Sequence, residues 1–129
     1  PVSDVMAAAQ GLISSAWAEE KRLGIHLLEQ QVKRLDVKQI KPLAAMIDKH
    51  LCDFTLCDAL ATTVIRKVVS RDTAAVAVVR RWKAAKCTWR KRVSCVTFVF
   101  LAKHGQFNDV ILDICETCVL ERERFTQLG

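Results

Sequence analysis

The stretch Trp17-Ala-Glu-Glu-Lys-Arg-Leu-Gly-Ile-His-Leu-Leu28 begins with an aromatic residue and continues with apolar residues spaced as on one helix face. Two later stretches, which begin at Phe54 and Trp89, follow the same plan. These aromatics are 37 and 35 residues apart, and Phe125 follows 36 residues further on. A repeat of this length is typical of stacked-helix arrays, in which each unit buries its apolar face against its neighbours. The pattern therefore predicts an all-α helical-repeat fold.

Composition favours the same fold class. The chain has 129 residues, is 51% apolar, and contains only four glycines and two prolines, which is too little turn punctuation for a β fold. No apolar run reaches the roughly 18 residues that span a bilayer, and no charged-then-apolar leader is present. We therefore expect an intracellular protein of the cytoplasm or nucleoid. We also expect residues 1–129 to be one domain, truncated at both ends.

Six cysteines could indicate disulfides or a metal site. In a helical chain without an export signal, reduced thiols used as small apolar residues are the better interpretation. Cys115 and Cys118 have metal-like spacing, but no second close Cys or His pair accompanies them. We therefore predict no metal site.

Helix caps and apolar periodicity together predict eight helices. The predicted ranges are Ser3 or Asp4 to Ile13, Trp17 to Leu35, Asp36 to His50, Thr55 to Ser70, Asp72 or Thr73 to Lys86, Trp89 to His104, Phe107 to Cys118, and Arg122 onwards. Pro42 falls inside the third, so that helix is expected to start late or to bend.

Positive charge is concentrated in one part of the chain. Lysines and arginines outnumber acids 20 to 14, and ten of the 20 fall in residues 66–92 beside a single acid, Asp72. Arg90, Lys91 and Arg92 lie in the first turn of a predicted helix, where the helix dipole disfavours cations by about 0.3–1 kcal/mol each. A solvated helix face would explain an ordinary basic stretch. This placement instead suggests compensation by an anion, and we predict that the stretch binds a nucleic-acid backbone, with Lys83 and Lys86 contributing.

Asp58 is the candidate reactive residue. It lies four residues after Phe54, on the same helix face. Thr55 and Asp58 also fit a capping-box pattern, which needs no catalytic purpose. However, Asp58 and Arg92 occupy nearly equivalent places in successive repeats, so stacking should bring them side by side. An acid beside a phosphate-binding cluster is unusual for a surface that only binds DNA.

Several blocks of this sequence resemble a known family. They are Leu12-x-Ser14 before Glu20-Lys21, then Phe54-Thr-Leu-Cys-Asp58, then Arg81-Trp82, and finally Trp89-Arg-Lys-Arg92-Val. Together they resemble the bacterial-type DNA alkylation repair family of HEAT-like glycosylases, the AlkD type, from about residue 10 to the end. The resemblance implies a HEAT-like solenoid that acts on duplex DNA, as a monomer and without a cofactor, to excise cationic N3- or N7-alkylated purines.

The resemblance also implies roles for individual residues. Asp58 corresponds to the catalytic carboxylate, Phe54 to an aromatic that packs against the deoxyribose at the lesion, and Arg92 to an arginine that holds the DNA backbone. The family usually has Trp at the position of Phe54 and Asp at that of Thr55, so activity could be reduced here. Trp82 and Trp89, at helical spacing from nearby valines, are expected in the core.

The chemistry of such a lesion requires few protein groups. Alkylation at N3 or N7 makes the purine cationic, which weakens the glycosidic bond and removes the need for a general acid. A carboxylate about 4 Å from an oxocarbenium-like sugar interacts with it by about 4 kcal/mol at an effective dielectric near 20, or roughly a thousandfold in rate. Asp58 could supply this and orient a water. Two alternatives stay open: a catalytically silent paralogue that binds DNA structure, and a helical protein-interaction scaffold.

Overall fold

The computed structural model describes residues 1–103, 105 and 108–120, and every regular element in those residues is helical. The α-helices are α1 (Val2–Ile13), α2 (Ala18–Gln30), α3 (Val37–His50), α4 (Phe54–Leu60), α5 (Arg66–Val69), α6 (Thr73–Arg81), α7 (Thr88–Ala102) and α8 (Asn108–Leu120). A π-helical turn, Ala61–Ile65, joins α4 to α5 without a break, and 3₁₀ turns occupy Val32–Arg34 and Trp82–Ala84. The prediction of a helical fold is thus confirmed for this part of the chain. The predicted helix from Arg122 lies outside the described residues.

Three aspartates start helices by accepting hydrogen bonds from backbone N–H groups. Asp36 accepts from Lys38 at 2.7 Å, Asp53 from Leu56 at 2.7 Å, and Asp72 from Ala74 at 3.0 Å. Each such cap contributes about 1 kcal/mol to stability. Because Asp53 caps α4, the capping-box explanation of Asp58 is wrong, and the Asp58 carboxylate is available for another purpose.

Two helices end five residues earlier than predicted. α2 ends at Gln30 instead of Leu35, and α6 at Arg81 instead of Lys86. In both cases a tighter 3₁₀ turn follows and places an apolar side chain, Val32 or Trp82, in the core. The third helix does not start late, since α3 begins at Val37 and contains Pro42, which is exposed.

Helices that start with the repeated aromatics are neighbours in the stack. α2 packs on α4, and α4 packs on α7, while α3 packs on α6 and α7 on α8. Their shared core contains Ile13, Leu28, Ile47, Leu60, Ile65 and Phe98, each 1% exposed or less. This succession brings the first turns of α4 and α7 together, which is where the candidate site lies.

The prediction of reduced cysteines is only partly correct. Cys52, Cys57 and Cys87 are free thiols. Cys95, however, takes part in a disulfide bond. Within the described part of the chain, no helix is long and apolar enough to cross a membrane.

Candidate active site

Asp58 on α4 and Arg92 on α7 form a two-point ion pair. Arg92 Nε donates to Asp58 Oδ1 at 2.8 Å, and Arg92 Nη2 donates to Asp58 Oδ2 at 2.8 Å. Parallel bonds of this kind are among the stronger polar contacts in proteins and fix the plane of the carboxylate. Arg92 is buried, whereas the Asp58 side chain is 38% exposed. The predicted acid and the predicted cation therefore do meet at neighbouring helix starts.

Two aromatic rings complete this cluster. The guanidinium carbon of Arg92 lies 4.5 Å from the centre of the Phe54 ring. The Phe54 ring in turn meets Trp89 edge to face, with ring centres 5.5 Å apart and planes at 82°. Contacts of each type contribute roughly 0.5–1.5 kcal/mol. Phe54, Asp58, Trp89 and Arg92 together form what we call the acid–arginine cluster.

The cationic first turn of α7 is compensated by carboxylates of the protein itself. Arg92 pairs with Asp58, and Arg90 Nε lies 3.1 Å from Oδ1 of Asp48 on α3. The Arg90 N–H does not point at that oxygen, so the contact is ionic and not a hydrogen bond. Lys91, between them, is buried. In the protein alone, carboxylates on α3 and α4 thus supply the negative charge that the sequence analysis expected from DNA.

The other predicted DNA-binding residues differ in their surroundings. Lys83 donates a hydrogen bond to Asp113 on α8, and Arg80 donates to the same carboxylate at 2.9 Å. These two bonds, that of Lys83 foremost, lower the pKa of Asp113 below its usual value. Lys86 is exposed. Lys86 is therefore the predicted contact that solvent reaches most readily.

A buried thiol next to the acid is chemically inert. Burial, with smaller contributions from Asp53 and Asp58, raises the pKa of Cys57 to about 12. Since the thiolate is the reactive form of cysteine, Cys57 is unsuited to accept an alkyl group from DNA. Among residues 1–103, 105 and 108–120, no three His, Cys, Asp or Glu side chains group as a metal site would require.

The cluster can present a fixed negative charge to a partly solvated surface. An ionised carboxylate has about four lone-pair positions, and the bonds from Arg92 use two of them. The exposed part of Asp58 can therefore still accept a hydrogen bond from water or face a developing positive charge.

Trp89 packs against the core, as expected, and its ring also supports Phe54. Sequence reasoning missed two contributors to this region. Asp48 and Asp113 were not identified as partners for the basic stretch. Asp48 gave one signal, because it lies in the last turn of α3, where the helix dipole disfavours an acid. The carboxylate of Asp48 and the guanidinium of Arg90, each disfavoured by the dipole of its own helix, therefore stabilise each other.

Comparison with known proteins identifies the family. A sequence model described as DNA alkylation repair enzyme matches residues 1–129, which is the whole chain. No curated protein and no solved structure gives a significant match. The family model covers every residue of the acid–arginine cluster, and the family's description implies DNA as the substrate and DNA repair as the role. The chain therefore belongs to the DNA alkylation repair enzyme family.

Proposed function

We propose that this protein hydrolyses the N-glycosidic bond of cationic N3- or N7-alkylated purines in duplex DNA. The observation that supports the proposal best is the two-point bond between Asp58 and Arg92 beside the Phe54 ring. It holds a half-exposed carboxylate in one orientation, in a chain of the DNA alkylation repair family.

In this proposal Asp58 acts on the sugar and not on the base. As the cationic purine departs, positive charge develops on the deoxyribose, and the carboxylate stabilises that charge while orienting the attacking water. An interaction of about 4 kcal/mol corresponds to roughly a thousandfold in rate. That is enough to assist a bond already weakened by alkylation and too little to release an unmodified base.

Arg92 has two tasks in the proposal. It orients the carboxylate, and it contacts a DNA phosphate at the lesion, as the family resemblance implies. Its charge also lowers the net charge that Asp58 presents, so the figure of 4 kcal/mol is an upper bound. Phe54 keeps the guanidinium in place and offers the edge of an aromatic surface to the sugar.

The wider assembly follows from the same proposal. We propose that the helix stack is a HEAT-like solenoid that acts as a monomer and whose surface beside α4 and α7 receives the duplex. Arg90, Lys91, Lys83 and Lys86 would then flank the bound DNA, although Arg90 and Lys83 already have carboxylate partners. Lys86 is expected to contribute most among these four.

A second candidate function is binding of DNA structure without catalysis. The observation in its favour is the same ion pair, because a carboxylate fully neutralised by Arg92 would stabilise little charge on the sugar. The two candidates differ in whether base release occurs at all.

The test compares a charged with an uncharged lesion. Two duplexes of one sequence carry either 7-methylguanine, which is cationic, or O6-methylguanine, which is neutral, and abasic sites are revealed by alkaline cleavage. The proposal predicts enzyme-dependent release of 7-methylguanine only. Equal release of both bases would contradict the electrostatic mechanism, and release of neither would favour the binding protein.

A further inference from the structure

A second cluster of cations surrounds an aromatic ring further along the same two helices. The guanidinium carbon of Arg66, at the start of α5, lies 4.6 Å from the centre of the Phe100 ring on α7. Lys103 Nζ, just after α7, lies 5.4 Å from the same centre. The two charges are therefore about 10 Å apart at most. We call Arg66, Phe100 and Lys103 the distal cluster.

The distal cluster repeats the geometry of the acid–arginine cluster. In the acid–arginine cluster, Arg92 of α7 lies over the ring of Phe54 of α4. In the distal cluster the two helices exchange roles, and Arg66 of α5 lies over the ring of Phe100 of α7. Asp58 and Arg66 are eight residues apart, as are Arg92 and Phe100. The helices thus run parallel in register, and the clusters are separated by about 12 Å along them, at 1.5 Å per residue.

A line of local hydrogen bonds places Arg66 on the same helix edge as Asp58. Thr62 Oγ1 donates to the carbonyl oxygen of Asp58 at 2.8 Å, and Arg66 Nε donates to the carbonyl oxygen of Thr62 at 2.9 Å. In a regular α-helix, eight residues would overshoot two turns by about 80°. The π-helical turn between them accommodates about one extra residue, which brings Arg66 back into line with Asp58.

Lys103 lies on the matching edge of α7. It is eleven residues after Arg92, which is about three helical turns. Its side chain is exposed. Arg66 and Lys103 are therefore in phase with Asp58 and Arg92 along their respective helices.

Charge pairing distinguishes the two clusters. Arg92 is bonded to Asp58, but within the described residues neither Arg66 nor Lys103 pairs with a carboxylate. Two cations that converge on one ring, with no carboxylate partner in the described part of the chain, repel each other, and an anion between them would relieve this. A phosphate offers several oxygens to a guanidinium and an ammonium at once.

We propose that the distal cluster binds a second phosphate of the DNA duplex, apart from the phosphate beside the lesion. The inference rests on the proposed function, since it takes duplex DNA as the ligand. The distal cluster would then contribute a part of the duplex-binding free energy that is the same with and without a lesion.

The test measures binding of an unmodified, fluorescently labelled duplex at several salt concentrations between about 50 and 200 mM. The double variant Arg66→Gln/Lys103→Gln is compared with Lys38→Gln/Lys41→Gln, which removes the same charge from exposed positions of α3. We expect the distal variant to bind about three- to tenfold more weakly and to lose about one unit of the slope of log affinity against log salt. The control should keep the slope of the unsubstituted protein.

Two further variants test whether loss of folding, and not loss of a phosphate contact, causes the change in slope. Lys103→Gln alone changes an exposed side chain and should show part of the slope change with an unaltered melting temperature. Arg66→Lys keeps the charge and should keep most of the slope. Equal slopes for the distal and control double variants would overturn the proposal.

Base release distinguishes failure of this inference from failure of the proposed function. If the slope falls as expected but Asp58→Asn still releases 7-methylguanine, the phosphate site stands and the catalytic assignment fails. If Asp58→Asn abolishes release while the slope of the distal variant is unchanged, the catalytic assignment stands and the phosphate site is overturned.

Discussion

Arg92 makes two kinds of contact in the candidate site, one with a carboxylate and one with an aromatic ring. It fixes the Asp58 carboxylate through two hydrogen bonds and lies over the Phe54 ring. Because its side chain is buried, its charge depends on Asp58 for compensation. Removal of either partner should therefore affect stability as well as chemistry.

A double-mutant cycle measures this dependence. We expect Asp58→Asn and Arg92→Gln to be coupled by about 1–3 kcal/mol in the free energy of unfolding, because two charge-assisted bonds are shared. The matched cycle, Asp48→Asn with Arg90→Gln, concerns a more exposed pair that is not hydrogen-bonded, and should give less than about 1 kcal/mol. Urea unfolding supplies all the values. Similar coupling in the two cycles would show that the two-point geometry adds nothing.

The contact of α1 with α2 restricts side-chain size at Gly24. A Cβ atom on Gly24 would lie 2.9 Å from Cγ1 of Ile13 and 3.0 Å from the carbonyl oxygen of Ala9. By contrast, a Cβ atom on Gly11, on the exposed face of α1, would meet nothing within 4 Å. The two glycines are therefore present for different reasons.

Substitution at these two glycines should change stability in opposite directions. Gly24→Val should destabilise by about 1–3 kcal/mol, since the added methyl groups force the helices apart. Gly11→Ala should stabilise by up to about 1 kcal/mol, because alanine is a better helix former and meets no neighbour. Thermal unfolding followed by circular dichroism measures both. A neutral Gly24→Val would mean that α1 and α2 pack less closely than described.

We expect the contact of α6 and its following turn with α8 to depend on pH. Asp113 accepts hydrogen bonds from Lys83 and Arg80, and these lower its pKa in the folded protein below the ordinary value of 3.8. A lowered folded-state pKa means that the stabilisation is complete above about pH 5 and is lost as pH falls through the folded-state value. Asp113→Asn should thus destabilise near neutral pH and lose that effect in acid.

Urea unfolding at about pH 7 and at several values below pH 4 checks the Asp113 prediction. Glu116→Gln, an exposed position on the same helix, is the control and should change stability little at any pH. An Asp113→Asn effect of constant size across this range would contradict the assignment of the ion pairs.

Sequence periodicity predicted these helices well because they present apolar faces to the core, and three of them also have a side-chain cap. Asp36, Asp53 and Asp72 are all caps, and only Asp53 was not assigned that role beforehand. The ends of α2 at Gln30 and of α6 at Arg81 were not predicted. Each is followed by a 3₁₀ turn that forms because it buries Val32 or Trp82, and helical periodicity does not encode that burial. The π-helical turn at Ala61–Ile65 has no periodic signature and was missed.

The candidate site was only partly predictable for a related reason. The proximity of Asp58 and Arg92 followed from their equivalent places in successive repeats. The pairing of Arg90 with Asp48, and of Lys83 with Asp113, depends on packing of α3 and α8 that no local pattern encodes. The distal cluster was missed because Lys103 and Phe100 lie outside the basic stretch of residues 66–92.

For the molecule as a whole, net charge overstates the charge available to DNA. The chain carries a formal charge of +6, yet Arg80, Lys83, Arg90 and Arg92 already bind carboxylates of the protein. Long-range attraction of a duplex depends on net charge, whereas tight phosphate contacts need cations that can be approached. Lys86 and the distal cluster are such cations in this account.

The central claim is that the Asp58 carboxylate accelerates release of a cationic purine, and one paired measurement tests it directly. Asp58→Asn is compared with Asp53→Asn, which removes the same charge five residues away and keeps a good helix cap. We predict that Asp58→Asn lowers 7-methylguanine release by about 100- to 1000-fold, with duplex affinity unchanged or slightly higher, while Asp53→Asn stays within about twofold. Release by Asp58→Asn at the rate of the unsubstituted protein would contradict the claim.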